Sequence, residues 1–387
     1  MPVTLGSDVL LASPALNGLR VGIVCNPASV DHELRHIVDR LAAHPGARLT
    51  AIFGPQHGFF SNVQENMIET SHSLDTGRGV PVYSLYSETR EPTAAMLQDL
   101  DVLVIDLQDV GTRIYTYIYT MAHCLTAARR HGVRVVVCDR PNPIGGTQLE
   151  GPMLMPGYES FVGLYPIPMR HGMTIGELAR LFNDYFAVGA RLEVVPMQGW
   201  QRTMYYDETG LPWVMPSPNM PTLDTAIVYP GTVLFEGTNV SEGRGTTRPF
   251  ELVGAPWVAA ERFAAGLNGR SLPGMRFRPI VFEPTFHKHA KQTCGGCQIH
   301  IFDRYTFAPV LTAVALTEAF RASDPARFQW RDPPYEYERV KLPFDILAGS
   351  SELRTQIEQG WPAEEIARSW EPQIAEFERL REQFLIY

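Results

Sequence analysis

Two glutamates that could supply a proton lie four residues apart in the segment NVQENMIET. If this segment is helical, Glu65 and Glu69 lie on one face of the helix, because residues four apart are neighbours on its surface. A carboxyl group with a raised pKa can donate a proton to the oxygen of a glycosidic bond. Glutamate is seldom buried, so a solvated helix with two surface acids is the alternative interpretation, and the sequence leaves both open.

A second group of polar side chains follows the apolar run DVLVIDL. Asp106 and Asp109 lie at the end of this run, and Arg113 could pair with one of them or hold a substrate carboxylate through two parallel hydrogen bonds. Short acids also favour loop turns, so a structural role for Asp106 is an equal alternative. In the later segment DRPNP, two prolines restrict the backbone and would fix the position of Asn142. Carboxylates, amides and aromatic rings such as Tyr117 together suit the recognition of a sugar.

Two short segments match metal-binding patterns, yet neither pattern is complete. The segment HELRH (32–36) places two histidines one helical turn apart, as in a zinc site. With Asp31 as a helix N-cap and Leu34 on the buried face, both histidines fall on the solvated side, and a third ligand is still needed. The segment CGGC (294–297) has no second cysteine pair, and the alternation that follows it indicates a strand. We therefore expect no metal, and without a nucleotide-binding glycine motif we expect no cofactor.

An alternating series of strands and helices must position these residues. Apolar runs rich in β-branched residues predict strands at 19–25, 48–53, 80–86, 101–107 and 133–139. Helical patterns follow at 34–41 and from Thr116 to His131, the second ending at Gly132. Parallel strands need crossover connections, so the pattern predicts an α/β fold with a mostly parallel sheet and helices on both faces. Ligands of such sheets bind beyond the carboxyl ends of the strands.

A length of 387 residues favours two domains. We predict a first α/β domain at 1–150 and an α+β domain at 151–387 that closes over it. Within the second part the patterns predict a strand at 191–197 and helices at 174–187, 309–321 and 351–386. The polar, glycine-rich segment 238–251 is expected to meet the loops after the second, fourth and fifth strands around one hollow of the size of a sugar.

The composition argues against several classes of protein. The net charge of −9 comes from dispersed carboxylates, and no basic stripe is present that could neutralise the phosphates of a nucleic acid. No apolar run approaches the length of a membrane span, so we expect no membrane partner. The first residues lack a secretory signal, and three of the five cysteines lie in apolar runs. These features favour a reducing compartment, and we expect a cytoplasmic location.

Six motifs in one order along the chain resemble those of a known family. They are FGPQHGF (53–59), QDVGTRIYTY (108–117), DRPNPIGG (139–146), LEGP (149–152), SPNMPT (217–222) and EGTNVSEGRGTTRPFE (236–251). Together they are similar to the NamZ-type exo-β-N-acetylmuramidases over most of the chain. The resemblance implies a Rossmann-like first domain, a smaller α+β C-terminal domain, and an active site in the cleft between them. It also implies release of N-acetylmuramic acid from the non-reducing end of peptidoglycan fragments, without a metal or a cofactor.

One position departs from the family pattern. Many members carry GPEHG, in which the glutamate is the favoured catalytic acid, whereas this chain has Gln56. An amide cannot deliver a proton in this way. We therefore expect Glu65 or Glu69 to act as the acid, while Gln56 orients the substrate. A non-catalytic muropeptide-binding or sensing protein is the alternative function.

The resemblance also suggests roles for the remaining polar residues. Asp106 or Asp109 would orient the substrate or stabilise charge, and Arg113 or Arg244 would hold the lactyl carboxylate of muramic acid. His57 is expected near the reacting bond. The expected substrate-binding set, apart from those already named, consists of Asn62, Tyr117, Asn142, Asn219, Asn239 and Glu242.

Overall fold

The structure is a computed structural model that describes residues 2–64 and 67–387. A seven-stranded sheet forms the centre of the first domain, in the order β3-β4-β2-β1-β5-β6-β9. Its strands are β1 (Arg20–Cys25), β2 (Arg48–Gly54), β3 (Ser73–Asp75), β4 (Val80–Ser84), β5 (Val102–Asp106), β6 (Arg134–Cys138) and β9 (Leu192–Val195). Only the edge strand β3 runs antiparallel to its neighbour. The six parallel strands have the classic order of a Rossmann-like sheet, which confirms the predicted fold class.

Helices cover both faces of this sheet. They are α1 (Gly6–Leu11), α2 (Ile37–Ala42), α3 (Ala94–Leu97), α4 (Tyr117–His131) and α5 (Ile175–Arg180). Val102 and Val104 of β5 pack into the core shared with α1 and α2, whereas Leu103 and Ile105 pack into the core shared with α4 and α5. This alternation is the consequence of the twofold repeat of a strand, and it explains why the predicted runs are apolar throughout.

The second domain is smaller and contains an antiparallel sheet, as the resemblance implies. Strands β10 (Leu252–Ala255), β11 (Met275–Phe282) and β12 (Cys294–Ile301) form it in the order β10-β12-β11. A two-stranded ribbon of β7 (Glu150–Met153) and β8 (Pro168–Arg170) lies between β6 and β9 in sequence. The remaining helices are α6 (Leu223–Thr232), α7 (Ala260–Asn268), α8 (Pro309–Ser323), α9 (Pro343–Ala348), α10 (Glu352–Gln359), α11 (Ala363–Ser369) and α12 (Glu371–Arg381). One buried apolar cluster extends through both domains.

Three sequence-based boundaries differ from the structure. Strand β9 pairs with β6, so the first sheet extends beyond the expected domain boundary at residue 150. The helix expected at 34–41 begins only at Ile37, where the His36 side chain is the N-cap; Asp31 instead accepts hydrogen bonds from backbone N–H groups within the preceding turn. The helix expected at 351–386 is divided into α10, α11 and α12, and the first break is at Gly360, with φ 77°.

Within the described residues, no helix is long and apolar enough to cross a membrane.

Candidate active site

Loops from both domains surround a cavity, which we call the central cavity. Its polar and aromatic lining consists of Gln56, His57, Tyr115, Thr116, Tyr117, Ser217, Asn219, Tyr229, Glu236, Arg244, Phe250, Tyr335 and Glu336. The loops after β2 and β5 therefore meet segment 238–251, as expected from the sequence. The loop after β6 does not line the cavity, because Asn142 binds the main chain through both its amide nitrogen and its amide oxygen.

Glu336 has the features of a carboxyl group that keeps its proton near neutral pH. Its side chain is buried, and burial together with the nearby negative charge of Glu236 raises its pKa to about 7. Its two oxygens accept hydrogen bonds from Gln56 Nε2 at 3.1 Å and from the Tyr86 hydroxyl at 2.9 Å. Glu336 and Tyr337 both have positive φ, at 43° and 71°, a strained conformation that is common at functional sites.

Gln56 donates a hydrogen bond to Glu336 and, as an amide, cannot act as a second acid beside it. The Thr116 hydroxyl donates to Gln56 Oε1 at 2.8 Å, and this contact directs the amide nitrogen toward Glu336. The amide is therefore fixed at both ends. We infer that the departure at position 56 replaces a possible acid by a group that positions another acid.

Glu236 is a second buried carboxyl group in the central cavity. Arg244 Nη2 donates to one of its oxygens at 2.6 Å, and the Tyr335 hydroxyl donates to the other at 2.6 Å. Tyr335 immediately precedes Glu336, so the two acids are linked through one short segment. Two carboxyl groups thus face one cavity in different surroundings, an arrangement that can assign them different roles.

Arg244 combines a buried charge with an unused donor. Its Nη1 is buried and makes no hydrogen bond with any residue that the structure describes. Glu242 lies 3.3 Å from Arg244 Nε and is itself bound by Lys288 at 2.8 Å. Burial opposes the ionisation of Glu242, but Lys288, His287 and Arg244 outweigh it and lower its pKa. Glu242 therefore holds the arginine in place, while Nη1 stays available for an anionic group.

His57 lines the cavity as a neutral imidazole. Burial lowers its pKa to about 4, and its Nδ1 lies 2.9 Å from the carbonyl oxygen of Val63. Nδ1 must carry the proton in this contact, so Nε2 is left as a hydrogen-bond acceptor. His57 can orient a sugar hydroxyl, but it has no proton to give to a leaving group near neutral pH.

Tyr117 and Asn219 also lie where the sequence predicts them, in the wall of the central cavity. The Tyr117 hydroxyl donates to the carbonyl oxygen of Pro216 at 2.7 Å, and the Asn219 amide forms two hydrogen bonds with Gln64. Their polar groups fix neighbouring loops, so the tyrosine ring is the part left to contact a substrate.

The structure argues against a substrate contact for Asp106 and Arg113. Asp106 forms a bidentate ion pair with Arg140, at 2.6 and 2.9 Å, and both side chains are buried beneath the sheet edge. Arg113 is fully buried and donates to the carbonyl oxygens of Pro152, Ile167 and Leu347. Both residues stabilise the fold, because the two carboxylate oxygens of Asp106 and both Nη atoms of Arg113 already form hydrogen bonds inside the protein.

Three other predicted residues, Asp109, Asn239 and Asn62, also lie outside the wall of the central cavity. Asp109 is buried, accepts a hydrogen bond from the backbone of Gly111 and lies 3.2 Å from His171 Nε2. Asn239 joins the backbone at Arg327 and Gln329. Asn62 is exposed on a different part of the surface.

Of the two acids expected from the sequence, Glu69 does not line the central cavity. Glu69 is about half exposed and is bound by Arg90 and by the Tyr337 hydroxyl, each at 3.2 Å. Glu65 lies outside the described residues. Sequence reasoning missed Glu236 and Glu336: Glu236 opens the motif EGTNV and could have been selected there, whereas the segment around Glu336 carries no such signal.

Neither metal-like segment forms a ligand set. The HELRH segment precedes helix α2, so its histidines do not share a helical face, and His36 Nε2 lies 2.8 Å from the carbonyl oxygen of Asn26. Cys294 and Cys297 are buried at one end of β12. Across residues 2–64 and 67–387, no three His, Cys, Asp or Glu side chains are grouped so that they could hold a metal ion.

A Rossmann-like sheet with two buried carboxyl groups in an interdomain cavity defines the class: a glycosidase. The chain belongs to the exo-β-N-acetylmuramidase NamZ family, since residues 21–224 match its N-terminal domain and residues 227–387 its C-terminal domain. It is 47% identical to the peptidoglycan β-N-acetylmuramidase NamZ of Bacillus subtilis (strain 168), over all of this chain and 91% of that protein. The resemblance predicted from the motifs is thereby confirmed.

Two solved structures share the fold. A DUF1343 family protein of Bacteroides fragilis NCTC 9343 has a TM-score of 0.90 and 35% identity, covering 100% of this chain and 99% of that chain. A second DUF1343 family protein of the same strain has a TM-score of 0.77 and 28% identity, with the same coverage.

Proposed function

We propose that this protein is an exo-acting β-N-acetylmuramidase that releases N-acetylmuramic acid from the non-reducing end of peptidoglycan fragments. The observation that carries the proposal is the pair Glu336 and Glu236 in one cavity, the first with a pKa raised to about 7. A glycosidase needs one carboxyl group that keeps its proton at working pH. The named activity of the Bacillus subtilis relative supports the same substrate class.

In this mechanism Glu336 is the general acid. It gives its proton to the glycosidic oxygen while the bond from that oxygen to the anomeric carbon breaks. The acetamido oxygen of the muramyl sugar attacks the anomeric carbon, and Glu236 accepts a hydrogen bond from the acetamido N–H. Water then attacks the anomeric carbon of the resulting oxazolinium ion, the bond to the acetamido oxygen breaks, and the proton of the water passes to the Glu336 carboxylate. This substrate-assisted route suits Glu236, because hydrogen bonds from Arg244 and Tyr335 to its two oxygens hold the carboxyl group in a fixed position.

Arg244 provides selectivity for muramic acid. Its free Nη1 is suited to the lactyl carboxylate, which an N-acetylglucosamine residue does not have. A buried donor that stays unpaired is costly, so a substrate without the carboxylate binds less favourably. We therefore expect a muramide to be cleaved in preference to the matching glucosaminide.

The experiment compares wild type with Glu336→Gln and Glu236→Gln on a chromogenic β-muramide and a muramyl disaccharide. We expect Glu336→Gln to lower kcat by at least about 100-fold, the scale of general acid catalysis. The exposed Glu261→Gln on α7 is the matched control and should keep the wild-type rate. Full activity of Glu336→Gln would assign the acid elsewhere, and tight binding by the wild type without turnover would favour the sensing alternative.

We propose a cytoplasmic location. The support is chemical: all five cysteines are free, and all are buried. Free thiols persist in a reducing compartment.

A further inference from the structure

Glu336 borders a second cavity as well as the central one. This outer cavity is formed with Met67, Pro334, Tyr337 and Arg339. Most of its lining is apolar carbon from Met67, Pro334 and the Tyr337 ring. Glu336, the proposed acid, thus lines both cavities.

Tyr337 is held as a rigid surface in this outer cavity. The Arg90 guanidinium lies over one face of the ring, 3.8 Å from the centroid, and the Tyr337 hydroxyl donates to Glu69 at 3.2 Å. The rings of Tyr86 and Phe161 pack edge to face with it, at 6.1 and 6.0 Å. The residue is nevertheless 51% exposed. The ring is thus fixed by its neighbours and still keeps an open surface that a ligand can contact.

The position of the acid indicates what this ring contacts. A general acid must lie within hydrogen-bond reach of the glycosidic oxygen, which joins the muramyl sugar to the leaving sugar. If the muramyl sugar fills the central cavity, the leaving sugar lies on the other side of Glu336. The apolar face of a pyranose ring can stack on an aromatic ring. Other flat or apolar groups can stack on such a ring in the same way.

We propose that the outer cavity is the binding site for the leaving sugar, a neutral N-acetylhexosamine, and that Tyr337 is its stacking surface. Arg339 lies at the exposed rim, where it can donate to sugar hydroxyl groups. This inference rests on the proposed function, because it takes Glu336 as the acid. The inference adds a specificity determinant, Tyr337, which contacts the leaving sugar and not the muramyl sugar.

The test measures binding on a Glu336→Gln background, so that the ligand is not cleaved. Calorimetric titration compares a muramyl-N-acetylglucosamine disaccharide with free N-acetylmuramic acid. We expect Tyr337→Ala to weaken disaccharide binding by about tenfold, the scale of one lost stacking contact, and to leave the monosaccharide unchanged. Tyr337→Phe keeps the ring and should bind both ligands as the parent does.

The same variants with Glu336 intact give a second measurement. Tyr337→Ala should raise KM for the disaccharide by about tenfold, while kcat/KM for muramyl fluoride, whose leaving group is too small to reach the ring, should change less than about twofold. Equal losses on both substrates, or no loss of disaccharide binding, would overturn the outer site. Normal binding effects without any turnover by the wild type would refute the proposed activity and leave the sugar site standing.

Discussion

At position 56 a single oxygen-to-nitrogen replacement changes what the side chain can do. Gln56 accepts from Thr116 and donates to Glu336, so the amide acts as a bridge between the first domain and the acid. A glutamate here would place a second carboxyl group about 3 Å from Glu336, and two such groups cannot both be ionised without cost. In the proposed mechanism, positioning and proton transfer are therefore assigned to two residues, Gln56 and Glu336.

Tyr86 tunes this acid from its other side. Its hydroxyl donates to Glu336 and lowers the pKa of that carboxyl group against the larger effect of burial. We predict that Tyr86→Phe raises the pKa of Glu336, because the ionised form loses a donor. The fall of kcat/KM on the alkaline side, expected near pH 7 in the wild type, should move to higher pH.

A pH profile of kcat/KM from about 5 to 9 checks this prediction. Tyr83→Phe, on strand β4, is a control that removes a tyrosine hydroxyl that does not donate to Glu336, and it should keep the wild-type profile. An alkaline limb that stays in place in Tyr86→Phe would mean that Glu336 is not the group titrating there.

At the scale of elements, the turn that carries Glu236 depends on close backbone contact with helix α9. A Cβ atom at Gly237 would lie 2.4 Å from Phe344 Cα, which is shorter than any tolerated contact. The turn at 233–237 and helix α9 can approach this closely only because position 237 has no side chain. The packing of two elements therefore fixes the position of a proposed catalytic carboxyl group.

We predict that Gly237→Ala lowers both stability and activity. Overpacking of this kind costs about 1–3 kcal/mol, and the displaced turn would move Glu236 within the cavity. The control is Gly266→Ala within α7, where a Cβ meets nothing within 4 Å and which should stabilise the helix by about 0.4–1 kcal/mol. Thermal unfolding and kcat, measured on both variants, separate these outcomes; an unchanged Gly237→Ala enzyme would contradict the packing argument.

At the scale of the whole molecule, buried carboxyl groups link the domains and make stability depend on pH. Glu150 on β7 accepts a hydrogen bond from the backbone of Leu311 on α8 at 2.8 Å. Burial raises its pKa from 4.5 to about 7, as it does for Asp139, whose pKa rises from 3.8 to about 7. At pH values between the ordinary pKa of each group and its folded-state pKa of about 7, the folded protein keeps a proton that the unfolded chain has lost. The contribution of each group to stability therefore falls as pH rises toward 7.

We predict that Glu150→Gln reduces this dependence. The amide keeps the acceptor for Leu311 and resembles the protonated acid, so the fall in Tm between pH 5 and pH 8 should be smaller than in the wild type. Glu261→Gln, at an exposed position, should show the wild-type slope. Parallel curves for Glu150→Gln and wild type would mean that Glu150 is already ionised in the folded state at pH 5.

The amount that the sequence predicts differs between the fold and the site. Each parallel strand is a short apolar run, and α4 has a clear end at Gly132, with φ 72°, so local composition was enough to predict them. The short edge strand β3 was missed, since its three residues are partly or largely exposed and carry no apolar pattern. Glu69 is near Gln56 along the chain but does not line the central cavity, because nearness in sequence is not nearness in space; the assignment of Glu65 as the acid stays a prediction.

The sequence by itself determined the parallel sheet, the family and the loops that meet at one edge, because these follow from local periodicity and from contiguous motifs. Only the tertiary structure decided which carboxyl groups share the central cavity. Glu336 accepts a hydrogen bond from Gln56, although the two residues are 280 positions apart in the sequence. Asp106 is not available to a substrate, because it forms a buried ion pair with Arg140. Such pairings depend on how two domains pack, and no short segment of the chain records them.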